Sequence, residues 1–155
     1  MATTTAVCTS YKIGLMSAGF NHTTTSGNIF AIALIKVGPA GTYGAASTNY
    51  SNITGNSDEV TGTGYTAGGF VWTAAQNITA AATSGTVVST SWSVNPSWTG
   101  ASFSTTAGMI YGGTSTPASG SVATYDFGGT QTVSVGTFTL VLPANSGTTA
   151  ILSIN

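Results

Sequence analysis

The chain is almost without charge. In 155 residues it holds two Lys (Lys12, Lys36), three acids (Asp58, Glu59, Asp126), one His and no Arg. An ordinary soluble domain is about a quarter charged; here the share is 3%. Acid–base catalysis needs titratable groups that converge on one substrate, so the chain reads as a non-enzyme. No catalytic residue, metal ligand set or cofactor is assigned to it. Nucleic-acid binding rests on Lys and Arg that neutralise phosphates, so nucleic acid is a poor partner. The single Cys8 excludes an intrachain disulfide. No apolar run reaches the ~18 residues of a bilayer span, and no membrane partner is expected. The first eight residues lack the basic region and apolar core of a signal peptide, which predicts cytoplasmic synthesis without classical secretion.

What the chain does have is hydroxyls and glycine: 30 Thr, 19 Ser and 21 Gly, with 41% apolar residues. Thr is β-branched and favours strands, while Gly and Ser mark turns. The prediction is a mostly β protein, an antiparallel β-sandwich or barrel-like sheet of about seven strands with one short N-terminal helix. One domain spans 1–155, with an N-terminal arm over 1–8, a helix over 9–20 and a β domain over 29–155. Thr9 or Ser10 is the expected N-cap, and Gly19 the stop. Tyr11, Leu15 and Met16, with Ile13 adjacent, form a partial apolar stripe.

Alternation then dominates. Phe30, Ile32 and Leu34 share one face of a strand ending at Lys36, with Ala31 and Ala33 on the other. Residues 43–53 read as a helical turn or a loop. Further strands are expected along Phe70–Ile78, along Val88, Thr90, Trp92 and Val94, and along Phe103, Thr105, Ala107, Met109 and Tyr111 as one face. Another runs from Val122 to Phe127 and closes at Gly128-Gly129. Val133, Val135, Phe138, Leu140 and Leu142 line the next, and Ala150, Leu152 and Ile154 the last. Phe30, Ile32, Leu34, Trp92, Phe138 and Leu140 are expected in one core.

The motifs carry little chemistry. Gly62-Thr-Gly-Tyr-Thr-Ala67 fits a dinucleotide pattern on paper, but no helix-forming run follows and no acid lies about 20 residues on. Asp126-Phe-Gly128 matches a kinase triplet in a chain far too short for a kinase; Asp126 reads as the cap of the Gly128-Gly129 turn. His22 reads as a helix-terminal ring bonded to a carbonyl, and Cys8 as a small buried or simply idle thiol. Asp58-Glu59 reads as a solvated turn or capping pair, with a bound cation as the alternative. Asn21, Asn49, Asn52 and Asn77 begin formal glycosylation triplets, which Ser/Thr abundance produces by chance. Trp72 and Trp92 fall on core faces. Trp98, after Asn95-Pro96-Ser97, and Tyr65 are the candidate partner-facing aromatics.

Several landmarks together resemble a family of small virion proteins of tailed bacteriophages. They are Ser17-Ala-Gly-Phe-Asn-His22 after a short helix, the strand Phe30–Lys36, and Asp58-Glu-Val-Thr-Gly-Thr-Gly-Tyr-Thr-Ala-Gly-Gly69. Trp98-Thr-Gly-Ala-Ser-Phe-Ser-Thr-Thr-Ala-Gly-Met-Ile-Tyr111, Ala123-Thr-Tyr-Asp-Phe-Gly128 and Val135-Gly-Thr-Phe138 follow in order. The chain departs from that pattern by lacking an Arg around Thr105–Thr106. The resemblance implies a non-enzymatic virion structural protein, first a capsid decoration or cement protein that docks on the major capsid protein or another virion protein. A tail, collar or fibre component is the alternative, and a carbohydrate-binding adhesin using Trp98 is an alternative of another class. A surface near zero charge is prone to associate, so a homo-oligomer is expected, with a trimer favoured.

Overall fold

The computed structural model describes residues 2–84, 87–115, 118–143 and 151–154. The protein is mostly β and antiparallel, as the Thr-rich alternation predicts, and it is not a closed barrel. In chain order the elements are β1 (Ala6–Val7), α1 (Thr9–Met16), β2 (Phe30–Ile35), α2 (Ser51–Thr54) and β3 (Phe70–Trp72). A 3-10 turn (Ala74–Gln76), β4 (Asn77–Ser84), β5 (Val87–Trp92), β6 (Ser97–Gly112), β7 (Gly120–Thr139) and β8 (Leu152–Ile154) follow. The main sheet has the order β1-β7-β6-β2-β3, and β4-β5-β8 form a second sheet.

β2 sits second from the edge of the main sheet, between β6 and β3. Its large face, Phe30, Ile32 and Leu34, joins Trp72, Trp92, Ile151 and Leu152 in one core shared with the second sheet. Its small face, Ala31 and Ala33 with Ile35, is buried too, beneath Tyr43 and Ile53. The strand is thus packed on both sides, the small as well as the large. The alanines let the 43–54 connection approach closely, so the sheet is covered on both faces.

The helix is shorter than 9–20. Its N-cap is Cys8 rather than Thr9 or Ser10, with no side-chain capping bond, and its C-cap is Ser17. Ala18 takes the left-handed turn at φ 56°, and the Gly19 N–H donates to the Gly14 carbonyl at 2.7 Å. That fold-back brings the Phe20 ring onto Gly14, where a Cβ would collide with it. The predicted stripe is half right: Tyr11 is buried, but Ile13 and Met16 are 62% and 93% exposed. Within the 1–8 arm, Ala6–Val7 form an edge strand of the main sheet, with Ala6 opposite Thr124 and Val7 opposite Ala123.

The largest departure lies in β6 and β7. Gly128-Gly129 does not end a strand. Thr105 pairs with Gln131 and Ala107 with Asp126, so residues 127–130 bulge opposite Thr106 alone. Gly128 has φ 74°, and its N–H donates to Asp126 Oδ1 at 2.9 Å, the cap expected of that carboxylate. β7 therefore continues as one bent strand. The bend also reverses β6. Phe103 packs in the core shared with the second sheet, whereas Ala107, Met109 and Tyr111 pack beneath Tyr43. The single alternating face predicted from Phe103 to Tyr111 is split between two cores.

A second register shift separates the pairs Ala101–Gly136 and Phe103–Val133. It lifts Val135 out of line, at φ 47° and 86% exposed. Val133, Phe138 and Leu140 are only half-buried against the core. Phe138→Ala should accordingly destabilise by about 2 kcal/mol, less than the ~3–5 kcal/mol of a fully buried Phe. Urea midpoints for Phe138→Ala and Phe30→Ala check this; equal losses would show that Phe138 is a full core member.

Candidate functional site

The densest polar chemistry gathers around Asp58 and Glu59. Residues 58–60 run beside β2: the Lys36 N–H donates to the Asp58 carbonyl, and the Val60 N–H donates to that of Leu34. In such an extended segment neighbouring side chains point to opposite sides, so the two carboxylates serve different places.

Asp58 is fully buried. Its Oδ1 accepts the Ala40 N–H at 2.9 Å, and its Oδ2 accepts the Gly41 N–H at 2.7 Å and the Tyr43 hydroxyl at 2.6 Å. Lys36 Nζ lies 3.2 Å from Oδ1 and also donates to the Ser57 carbonyl. Burial pushes this carboxyl upward. The Tyr43, Ala40, Gly41 and Lys36 donors outweigh burial and hold it at about 2. The solvated reading is corrected; the capping reading is the one that fits, because Asp58 ties the 40–41 turn shut.

Glu59 accepts the Tyr50 hydroxyl at 2.5 Å, the Tyr65 hydroxyl at 2.8 Å and the Gly68 N–H at 2.6 Å. The Tyr65 oxygen in turn accepts the Leu34 N–H at 3.0 Å. Tyr111 stacks on Tyr50 with centroids 4.5 Å apart and donates to the Gly68 carbonyl. Protein donors thus occupy both carboxylates, which leaves them poor cation ligands. Among the described residues no three of His, Cys, Asp and Glu gather as a metal site.

The glycine-rich block that mimics a dinucleotide motif has a packing role. At Gly64, φ is 77° and a Cβ would sit 2.9 Å from Ala101 Cα; at Gly69, φ is 77° and a Cβ would overlap the Ile32 carbonyl oxygen. The block lies flat on β6 and β2, which only glycine permits.

His22 is 7% exposed. Its Nε2 lies 2.8 Å from the Tyr11 hydroxyl and its Nδ1 lies 3.5 Å from Thr90 Oγ1. The ring stacks on Phe30 at 4.5 Å. The expected carbonyl bond is corrected: the chain turns His22 inward onto the core, where hydroxyls meet it. Burial pushes its ring down to about 4. Cys8 is buried as expected, with its thiol pushed up to about 11 by burial.

Of the candidate partner-facing aromatics, Trp98 is buried and Tyr65 is only partly exposed. Trp98 is 6% exposed and lies between Tyr65, Phe70, Phe103 and Phe138, all with centroids within 6.3 Å. The reason is that β6 begins at Ser97, so Trp98 is a strand residue, not a loop tip. Tyr65 is half-buried with its hydroxyl held by Glu59. Trp72 and Trp92 are buried and stacked 4.7 Å apart, as their alternation predicts.

Of the charged side chains, Lys12 and Asp126 are exposed. Asp126 lies with Thr3, Thr106, Gly128 and Gly129 along an open groove of about 330 Å³. Sequence reading missed Tyr43, Tyr50 and Tyr65 as hydroxyl donors to the acids; Tyr spacing alone carries no such signal. Among the described residues no helix is long and apolar enough to cross a membrane. No protein-family model, curated protein or solved structure matches the chain.

Proposed function

We propose that the protein is a non-enzymatic structural component of a tailed-phage virion, first of all a capsid decoration or cement protein. One observation carries the reading. Asp58, Glu59 and His22 are engaged inside the fold, Asp58 by backbone and Tyr43, Glu59 by tyrosines and His22 by Tyr11, while Lys12 and Asp126 stand exposed and far apart in sequence. What faces outward is hydroxyl, backbone and scattered apolar side chains such as Met16, Val71, Val135 and Val141. Such a surface suits docking to the major capsid protein or another virion protein, and to further copies of itself, with a trimer favoured. A cement protein binds the assembled lattice and not dissociated subunits, so its binding energy adds to particle stability. The adhesin alternative loses its ligand-stacking residue, because the Trp98 ring is inside.

Purified protein added to shells that lack it, followed by imaging and a heat challenge, tests the reading. Hundreds of copies over the shell and a raised disruption temperature are expected. A few copies at one vertex would favour the tail, collar or fibre alternative; no binding overturns the virion role. Attachment should change little between low salt and ~1 M salt, where the screening length is about 3 Å. Release by salt alone would show that Lys12 and Asp126 govern docking.

A further inference from the structure

The chain between α1 and β2 folds back as a small closed unit. The Asn28 N–H donates to the Asn21 carbonyl at 2.7 Å, and the Asn21 N–H donates to Asn28 Oδ1 at 2.6 Å. His22 projects from this unit into the seam where the helix, the main sheet and the second sheet meet. It touches Tyr11 of α1, Phe30 of β2, and Thr90 and Trp92 of β5. Beside the ring lies a cavity of about 130 Å³, walled by Val7, Leu15, Val88 and Leu152 from four different elements.

Among the described residues no Asp, Glu, Lys or Arg lines this seam. The helix's own Lys12 is exposed. The titratable neighbours are Tyr11, which bonds the ring, and then Cys8 and Tyr125, whose hydroxyl donates to the Ile151 carbonyl. All three are neutral below pH 8, since burial raises each. A protonated ring would still find two oxygens, because a tyrosine hydroxyl accepts as well as donates. Among the described residues it would find no negative charge. An unpaired imidazolium in an apolar seam is strongly disfavoured, while the adjoining cavity offers water a place to enter once the contact loosens.

We propose that His22 is an acid-sensitive latch: its neutral ring holds the 20–28 connection against β5 and β2, and protonation releases that connection while the sheets stay folded. The opened ring titrates near 6.5 and the closed ring near 4. Opening should therefore become roughly 40-fold more favourable between pH 6.5 and pH 4.5. In a virion the latch would make one patch of this subunit responsive to acidification.

Amide hydrogen exchange by NMR reads this directly. Protection of the Gly19 and Asn28 amides, corrected for the intrinsic pH dependence, should fall by that factor. Ile32 and Ile110 in the main sheet open only with unfolding, where the freed ring brings the same linkage, so their protection should stay far above that of Gly19 and Asn28 at every pH. His22→Gln should flatten the pH response of Gly19 and Asn28. A ring titration of the unaltered protein stands even if the variant fails to fold, and its midpoint is expected near 4. A midpoint near 6.5, protection of Gly19 and Asn28 equal to that of Ile32 and Ile110 at pH 4.5, or an unchanged response in His22→Gln would each overturn the latch.

Discussion

Asp58→Ala is expected to destabilise the protein by about 3–5 kcal/mol, the usual result of removing one partner from a buried polar network. The loss strands the Ala40 and Gly41 N–H groups without an acceptor and leaves the Tyr43 hydroxyl only the Asn52 carbonyl at 3.2 Å. Against a typical stability of ~5–15 kcal/mol, that is a large share, and the melting temperature should fall by about 10 °C. Lys36→Ala should do far less, under ~1 kcal/mol, because the Lys36 side chain is 39% exposed and its ion pair is screened. A melting temperature for Asp58→Ala within 2 °C of the parent would refute the node.

The pH dependence follows with a definite sign. The folded carboxyl is held at about 2 against an ordinary 3.8, so the unfolded chain binds the proton first. The contribution of Asp58 is fully present above pH 3.8 and is lost as pH falls toward 2. The parent should lose stability across that window, and Asp58→Ala should lose less. His22 acts at higher pH with the same sense: its folded ring is depressed to about 4 from 6.5, so acid erodes stability from pH 6.5 downward.

Trp72→Ala should be as damaging, about 3–5 kcal/mol by transfer and cavity terms. Trp72 is fully buried, stacks on Trp92, and donates from Nε1 to the Val94 carbonyl at 2.8 Å. It thus joins the edge strand β3 of the main sheet to the chain leaving β5 of the second. Trp72→Phe keeps much of the volume and leaves the Val94 carbonyl unpaired, so a smaller loss of about 1–3 kcal/mol is expected. Urea unfolding with an unchanged slope would show a true stability effect. A Trp72→Ala midpoint equal to the parent's would mean the two sheets do not share this core.

Much of the fold was legible because local alternation is a local physical signal. The phase of β2 was readable since Phe30, Ile32 and Leu34 differ so much in size from Ala31 and Ala33. The Asp126 cap was readable since its acceptor and donor lie two residues apart. The candidate site was far less legible. Asp58 and Glu59 were conspicuous as the only adjacent acids, yet their burial depends on Tyr43, Tyr50, Tyr65 and the 40–41 turn. Those partners are brought in by the chain's path, and nothing in their spacing announces it. Trp98 was misplaced because Pro96 reads as a break, whereas the strand simply starts after it.

By itself the sequence determined the fold class: enough Thr and alternation for antiparallel sheets, and the large apolar face of β2. The tertiary structure alone decided where β7 bulges, which face of β6 each residue joins, and that both acids turn inward. The reason is physical. Alternation specifies two faces but not which layer covers each, and a bulge exchanges the faces without altering the local pattern. Burial of a carboxylate, likewise, is decided by whether distant donors arrive to satisfy it.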